Sequence, residues 1–304
     1  LRTRRQRQMC IRDSGYDEDW TFTGFDIAGY TSFDRYLRER KNTTVDIRVN
    51  TIASSLEWTS GVYLKQQTVD LNRNYRFDAN FNGQYDADEF SPFRSEYDSE
   101  SAALYAEVKL HATDKLTLSS GLRFEHISSD YQDSLGEMIK PSDTLWGGHL
   151  SASLALNDQL NLFSRLSRGF KAAGINADGA SSLPANSKSY DDESLLNIEL
   201  GSNFDSKSGK VRGQITAFFQ QRKDAQIKQS LVTPITPPNC PCSFEDYIDN
   251  ANETEHYGLE LESFYQAHDR LTFSLSVGYL KAEFSDYLRL TEGAGGTVIA
   301  EDLD

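Results

Sequence analysis

The feature that most constrains this chain is the spacing of its strand-like segments. Apolar and polar residues alternate with a period of two in one segment after another, which marks strands with one apolar face. Residues 102–111 put Ala102, Leu104, Ala106, Val108 and Leu110 on one side. Residues 116–126 set Leu116, Leu118, Leu122 and Phe124 against Thr117, Ser119, Arg123 and Glu125. The same pattern returns at 43–51, 146–156, 160–167, 195–204, 211–219, 257–265 and 271–279. The connections alternate too. Short turns fall at 112–115, 157–159, 205–209 and 267–270, and long polar stretches separate the remaining neighbours. In an antiparallel meander every second connection lies at the same end of the sheet. The short turns therefore gather at one end and the long loops at the other.

That asymmetry predicts an all-β protein, an antiparallel transmembrane β-barrel with short periplasmic turns and long extracellular loops. A soluble sandwich or propeller scatters its long loops over both ends. The chain has 304 residues and a formal net charge of -15, which argues against nucleic acid as a partner. It holds no run of ~18 apolar residues, but a barrel alternates lipid-facing and lumen-facing residues and needs no such run. Strands of ~9–11 residues suit a tilted crossing of the hydrocarbon. Trp146, Tyr257, Tyr265 and Tyr279, near strand ends, fit interfacial girdles. About eleven strands are countable without closure, which suits about half of a ~22-stranded barrel. Residues 1–14, with five Arg and no apolar core, read as a non-native segment, leaving 15–304 as an internal part of a barrel.

Several phrases carry a resemblance, in order, over residues 43–285. They are Val45-Asp46-Ile47-Arg48, Trp58 with Gly61-Val62-Tyr63, Gly121-Leu122-Arg123-Phe124, Ser167-Arg168-Gly169-Phe170-Lys171 with Gly174 and Asn176, Glu199-Leu200-Gly201, and Tyr257-Gly258-Leu259-Glu260. Together they resemble the barrel strands of TonB-dependent outer-membrane receptors. The first lacks that family's usual Gln, and Ala173 replaces a usual Gly. The resemblance implies a ~22-stranded barrel around an N-terminal plug, integral to the bacterial outer membrane. It also implies a receptor that binds a scarce nutrient, most often a ferric siderophore, and imports it with energy from TonB. The plug, the TonB-contacting segment and the last barrel strands are not recognisable in these residues. Receptors for haem, cobalamin and oligosaccharides share the same phrases, so the ligand stays open. A passive porin and a calcium-binding surface adhesin are the alternatives.

Candidate sites follow. Asp78, Asn80, Asn82, Gln84, Asp86 and Glu89 surround Gly83 with the spacing of a calcium loop, which needs many oxygen ligands about a sharp turn. The alternative is a solvated acidic loop that uses Asn and Gly for its turns. Calcium is the one cofactor expected here, in a structural role, and none is required. Arg168 and Lys171, where a strand meets a long loop, could attract an anionic ferric chelate or shape the turn. Tyr75, Phe81 and Tyr85 could stack on a ligand or pack their loop. Cys240 and Cys242 flank one Pro, and a disulfide between them would close a strained ring. The five His are dispersed and no nucleophile elbow or phosphate loop is present, so no enzyme is expected.

Overall fold

Alternating segments pair with their sequence neighbours in a long meander. The computed structural model describes residues 16–21, 32–53, 55–77, 90–177, 183–236, 239–284, 288–293 and 297–302. Its strands are β1 (Tyr16–Thr21), β2 (Ser32–Ile52), β3 (Leu56–Phe77), β4 (Phe90–His111), β5 (Leu116–Asp133), β6 (Met138–Ile139), β7 (Ser142–Asn157) and β8 (Leu160–Lys171). They continue as β9 (Gly174–Ile175), β10 (Ser189–Tyr190), β11 (Glu193–Asp205), β12 (Val211–Thr236), β13 (Asn239–His268), β14 (Leu271–Phe284), β15 (Leu288–Gly293) and β16 (Thr297–Asp302). A short 3-10 helix covers Ala185–Ser187. The main sheet runs β1-β2-β3-β4-β5-β7-β8-β11-β12-β13-β14, with β6 paired to the end of β5. β9–β10 and β15–β16 form separate two-stranded ladders.

The short turns stand where the sequence predicts them, and side-chain oxygens close them. The Thr113 Oγ1 accepts the Leu116 N–H at 3.0 Å, the Asn157 Oδ1 accepts the Gln159 N–H at 2.9 Å, and the Ser206 Oγ accepts the Val211 N–H at 2.9 Å. Gly209 sits in the last of these turns at φ +66°, a conformation that favours glycine.

The strands themselves are longer than the alternation indicated. β3 and β4 extend into the polar stretch between them, and β12 and β13 reach 26 and 30 residues. An apolar crossing needs only ~9–11 residues. Beyond it both faces of a strand meet water, so the apolar half of the pattern disappears while the ladder continues.

The chain divides into two compact units. The first takes residues 1–44, 65–100 and 129–140, and the second takes 45–64, 101–128 and 141–304. In the first, Leu71 and Tyr131 are buried, and polar pairs lace the strands: Thr68 Oγ1 donates to Asp98 Oδ1 at 2.6 Å and Gln132 Nε2 to Glu96 Oε2 at 2.8 Å.

In the second unit the register aligns apolar rows on one face. One row reads Leu118, Ala152, Ser164, Leu200, Ala217, Leu259, Tyr279; the next reads Leu116, Leu154, Leu162, Ser202, Ile215, Leu261, Val277. These side chains point outward: Leu200 is 60% exposed, Leu259 53% and Tyr279 59%. Exposing such area to water costs about 25 cal/mol per Å². A contiguous face of this kind belongs in hydrocarbon. No helix among the described residues is long and apolar enough to cross a membrane; the strands do it instead.

Candidate functional site

Arg168 and Lys171 sit at the loop end of β8 and part company there. Arg168 shares the parity of Leu162 and Leu166 and leaves the apolar face. Its guanidinium lies 4.4 Å over the Trp146 ring, and its Nη1 donates to the Trp146 carbonyl. This is a cation at the rim of the apolar band, its stem on apolar surface and its charge on an aromatic face. Lys171 has the opposite parity and stands across from Glu193 in the β8–β11 register. The two cations that the sequence places at one loop mouth are therefore on opposite faces of the sheet.

The segment after Lys171 is tied down by a buried polar network. Glu193 is 7% exposed. Arg222 grips it with both forks, Nε to Oε1 at 2.8 Å and Nη2 to Oε2 at 2.7 Å, and the Gln226 N–H donates to the same Oε2 at 2.8 Å. Gln226 Nε2 then donates to the carbonyls of Ala172 and Asp191 at 2.8 and 2.9 Å. Asn176 works in the same way. Its Nδ2 donates to the Ser187 and Ile248 carbonyls and its Oδ1 accepts the Ile248 N–H, all at 2.8 Å. Asn250 Nδ2 donates to the carbonyls of Asp191 and Asp224, and its Oδ1 accepts the Asp191 N–H. Gly174 has no room for a side chain, because a Cβ there would lie 2.2 Å from the Tyr190 hydroxyl.

Charge follows burial in this network. Burial opposes ionisation of Glu193, but the Arg222 fork and the Gln226 N–H outweigh it and hold the carboxyl below the usual carboxylate range. Asp192, beside it, is raised by burial first and by the carboxylates of Asp143 and Asp224 second. The motif from Arg168 to Asn176 thus braces a loop against the β12–β13 hairpin.

The polar face of the second unit is a wall of paired side chains. Tyr105 Oη donates to Asp46 Oδ1 at 2.7 Å, and Arg48 pairs with the same carboxylate. Arg123 Nη2 meets Glu125 Oε2 at 2.7 Å while its guanidinium lies 4.9 Å over Tyr63. Asn197 Nδ2 donates to Glu199 Oε1 at 2.8 Å. Such a wall presents hydrogen-bonding groups; it includes His111, whose ring nitrogens lie 3.2 Å from Thr117 Oγ1 and 3.1 Å from Glu57 Oε1. Among the described residues no group of three or more His, Cys, Asp or Glu is placed to hold a metal ion.

In the first unit Tyr75 is brought to Arg73, whose Cζ is 5.6 Å from the Tyr75 ring and 4.8 Å from the ring of Tyr36. The candidate calcium ligands Asp78, Asn80, Asn82, Gln84, Asp86 and Glu89 lie outside the described residues, as do Phe81, Tyr85 and the side chains of Cys240 and Cys242. Sequence reasoning missed Arg73, Tyr36, Glu193, Arg222, Gln226 and Asn250. Their partners stand many residues away on other strands, and no local pattern announces a register.

Comparisons with known proteins agree with this geometry. The pattern of the family described as TonB dependent receptor-like, beta-barrel, matches residues 5–299. The pesticin receptor of Yersinia enterocolitica is 26% identical over 202 residues, covering 64% of this chain and 28% of its own length. The ferric yersiniabactin uptake receptor of Yersinia pestis superimposes with a TM-score of 0.64 at 21% identity, over 88% of this chain and 38% of that one. A siderophore receptor of Acinetobacter baumannii gives a TM-score of 0.62 at 13% identity, over 90% and 42%. The chain thus spans well under half the length of these relatives, and the structural likeness is one of fold: an outer-membrane barrel wall. An integral outer-membrane location follows from that fold and from the apolar face. On the family pattern and the strand architecture together, the chain belongs to the TonB-dependent receptors, within their β-barrel.

Proposed function

We propose that this chain forms part of a receptor that binds a ferric siderophore and imports it with energy supplied by TonB. The observation that carries the reading is the second unit's two-faced sheet. A lipid-facing apolar band backs a wall of paired charges and hydroxyls, as a lumen for a polar cargo requires. The relatives' printed roles, ferric yersiniabactin uptake and siderophore reception, support the same cargo class. Catalysis plays no part in this reading. The loop of Asp78, Asn80, Asn82, Gln84, Asp86 and Glu89 adds a structural calcium to it.

The test is uptake of radioiron-labelled ferric siderophores by cells carrying the full-length gene, with and without TonB. Uptake that needs TonB supports the receptor. Diffusion of small solutes independent of TonB moves the assignment to a passive porin. Calcium-dependent ordering of residues 78–89 at millimolar calcium supports the metal, and identical spectra with and without calcium remove it.

A further inference from the structure

The polar face of the second unit is uneven. On β7 the residues of polar parity run Gly147, His149, Ser151, Ser153 and Ala155, from the long-loop end to the short-turn end. β5 sets Gly121, Ser119 and Thr117 directly across from His149, Ser151 and Ser153. The hydroxyls bond along the wall and not out from it. Ser119 Oγ lies 2.6 Å from Ser151 Oγ, and Ser153 Oγ donates to Asn161 Oδ1 at 2.9 Å. The rings around this lane lie down on glycines of neighbouring strands. A Cβ at Gly121 would meet the His149 ring at 2.7 Å, one at Gly61 the Tyr105 hydroxyl at 2.5 Å, and one at Gly201 the Phe163 ring. Phe163 on β8 thus leans toward β11, and Tyr105 on β4 leans toward β3, both away from β7. Glycine weakens a strand interior and marks places where another group comes close to the backbone. A recess of about 550 Å³ opens on the loop half of the lane, lined by Gly121, Gly147, Gly169, Arg165, Ser167 and Asn197. Asn197 is 8% exposed, and its Oδ1 has no hydrogen-bond partner among the described residues.

Resting on the receptor reading and deepening it, we infer that the imported solute crosses the membrane along the lumen face of β7, in the lane that Tyr105 and Phe163 leave open. Gly147 to Ala155 covers a tilted crossing of ~9–11 residues, so the lane runs from one side of the hydrocarbon to the other. Its surface is hydroxyl, carboxamide and glycine backbone, which trades hydrogen bonds with a polar solute one at a time. A passage must bind well enough to admit its cargo and weakly enough to release it. The strong groups beside the lane are already engaged: Arg123 is held by Glu125 and Tyr63, and Arg48 and Tyr105 by Asp46. The recess adds a stop on the way, where Asn197 still lacks a donor. The lumen face of β13 is built differently, with the long side chains Glu260, Glu262 and Phe264 standing in a row.

The experiment measures binding and TonB-driven uptake separately, in cells carrying the full-length receptor. The probes are radioiron-labelled iron(III) tris-catecholate, iron(III) citrate and iron(III) tris-hydroxamate, and each one that the wild type imports is followed. Ser151→Trp fills the lane at its centre and is expected to slow uptake about tenfold while binding without TonB stays within about twofold. Gly121→Ala lifts the His149 ring off the wall and should slow uptake several-fold. Adding His149→Ala to it should restore the rate, which keeps the test open should Ser151→Trp fail to fold. Glu262→Trp places the same bulk on the lumen face of β13, outside the lane, and should leave uptake unchanged. Wild-type uptake in Ser151→Trp or in Gly121→Ala, or an equal loss in Glu262→Trp, overturns the lane and leaves the receptor reading standing. Uptake of none of the three probes by the wild type overturns both.

Discussion

Replacing Asn176 with Ala isolates what the Arg168–Asn176 motif does. Asn176 is 9% exposed and makes three side-chain hydrogen bonds of 2.8 Å, two given to the Ser187 and Ile248 carbonyls and one accepted from the Ile248 N–H. Each is worth about 1 kcal/mol net, so the brace between loop and hairpin loses about 3 kcal/mol. The strand ladders elsewhere are untouched, so the cost falls on local opening and not on unfolding of the whole sheet. Native-state hydrogen exchange in the full-length receptor reads this directly, because the Ile248 amide is itself a partner. Three kcal/mol corresponds to exchange faster by about two orders of magnitude. Asn176→Asp keeps the acceptor and loses the two donors, so it should protect the Ile248 amide better than Ala does. Exchange within threefold of wild type in Asn176→Ala would refute the brace.

Other outcomes follow from the same network and from the apolar face. Gly174→Ala puts a methyl 2.2 Å from the Tyr190 hydroxyl and should loosen the loop by about 1–3 kcal/mol, with Tyr190→Ser restoring it; thermal shift of the single and double variants checks this. Glu193 has its folded pKa below the ordinary glutamate value of 4.5, so its stabilisation is fully present above that value and is lost as pH falls through the folded pKa. Protection factors of the Gln226 amide should therefore hold from neutral pH down to the carboxylate range and drop below it, and a flat profile would contradict the assignment. Leu200→Lys, on the exposed apolar row, should cost about 2–4 kcal/mol of folding stability in lipid vesicles, whereas Thr216→Ser on the opposite face should change it little.

The membrane-crossing halves of the strands were legible because alternation is a local property. Leu118, Leu122 and Phe124 declare their face within one segment, and the turn at 157–159 needs only its own Asn157 to close it. The polar halves were not legible. β3 and β4 lengthen into a stretch that reads as loop, because strands wet on both faces need no apolar period. The candidate cations show the same boundary. Residues 168 and 171 look like one basic mouth in sequence, and alternation across the β8–β11 register sends them to opposite faces.

The sequence by itself determined the period of two, the turns, the two-faced sheet and hence the surrounding hydrocarbon, since each depends on residues within a few positions of one another. Only the tertiary structure decided that Arg222 grips Glu193, that Asn176 reaches Ile248, and that Arg73 lies against Tyr36. Those pairings depend on register, and register is a property of neighbouring strands held by the whole ladder.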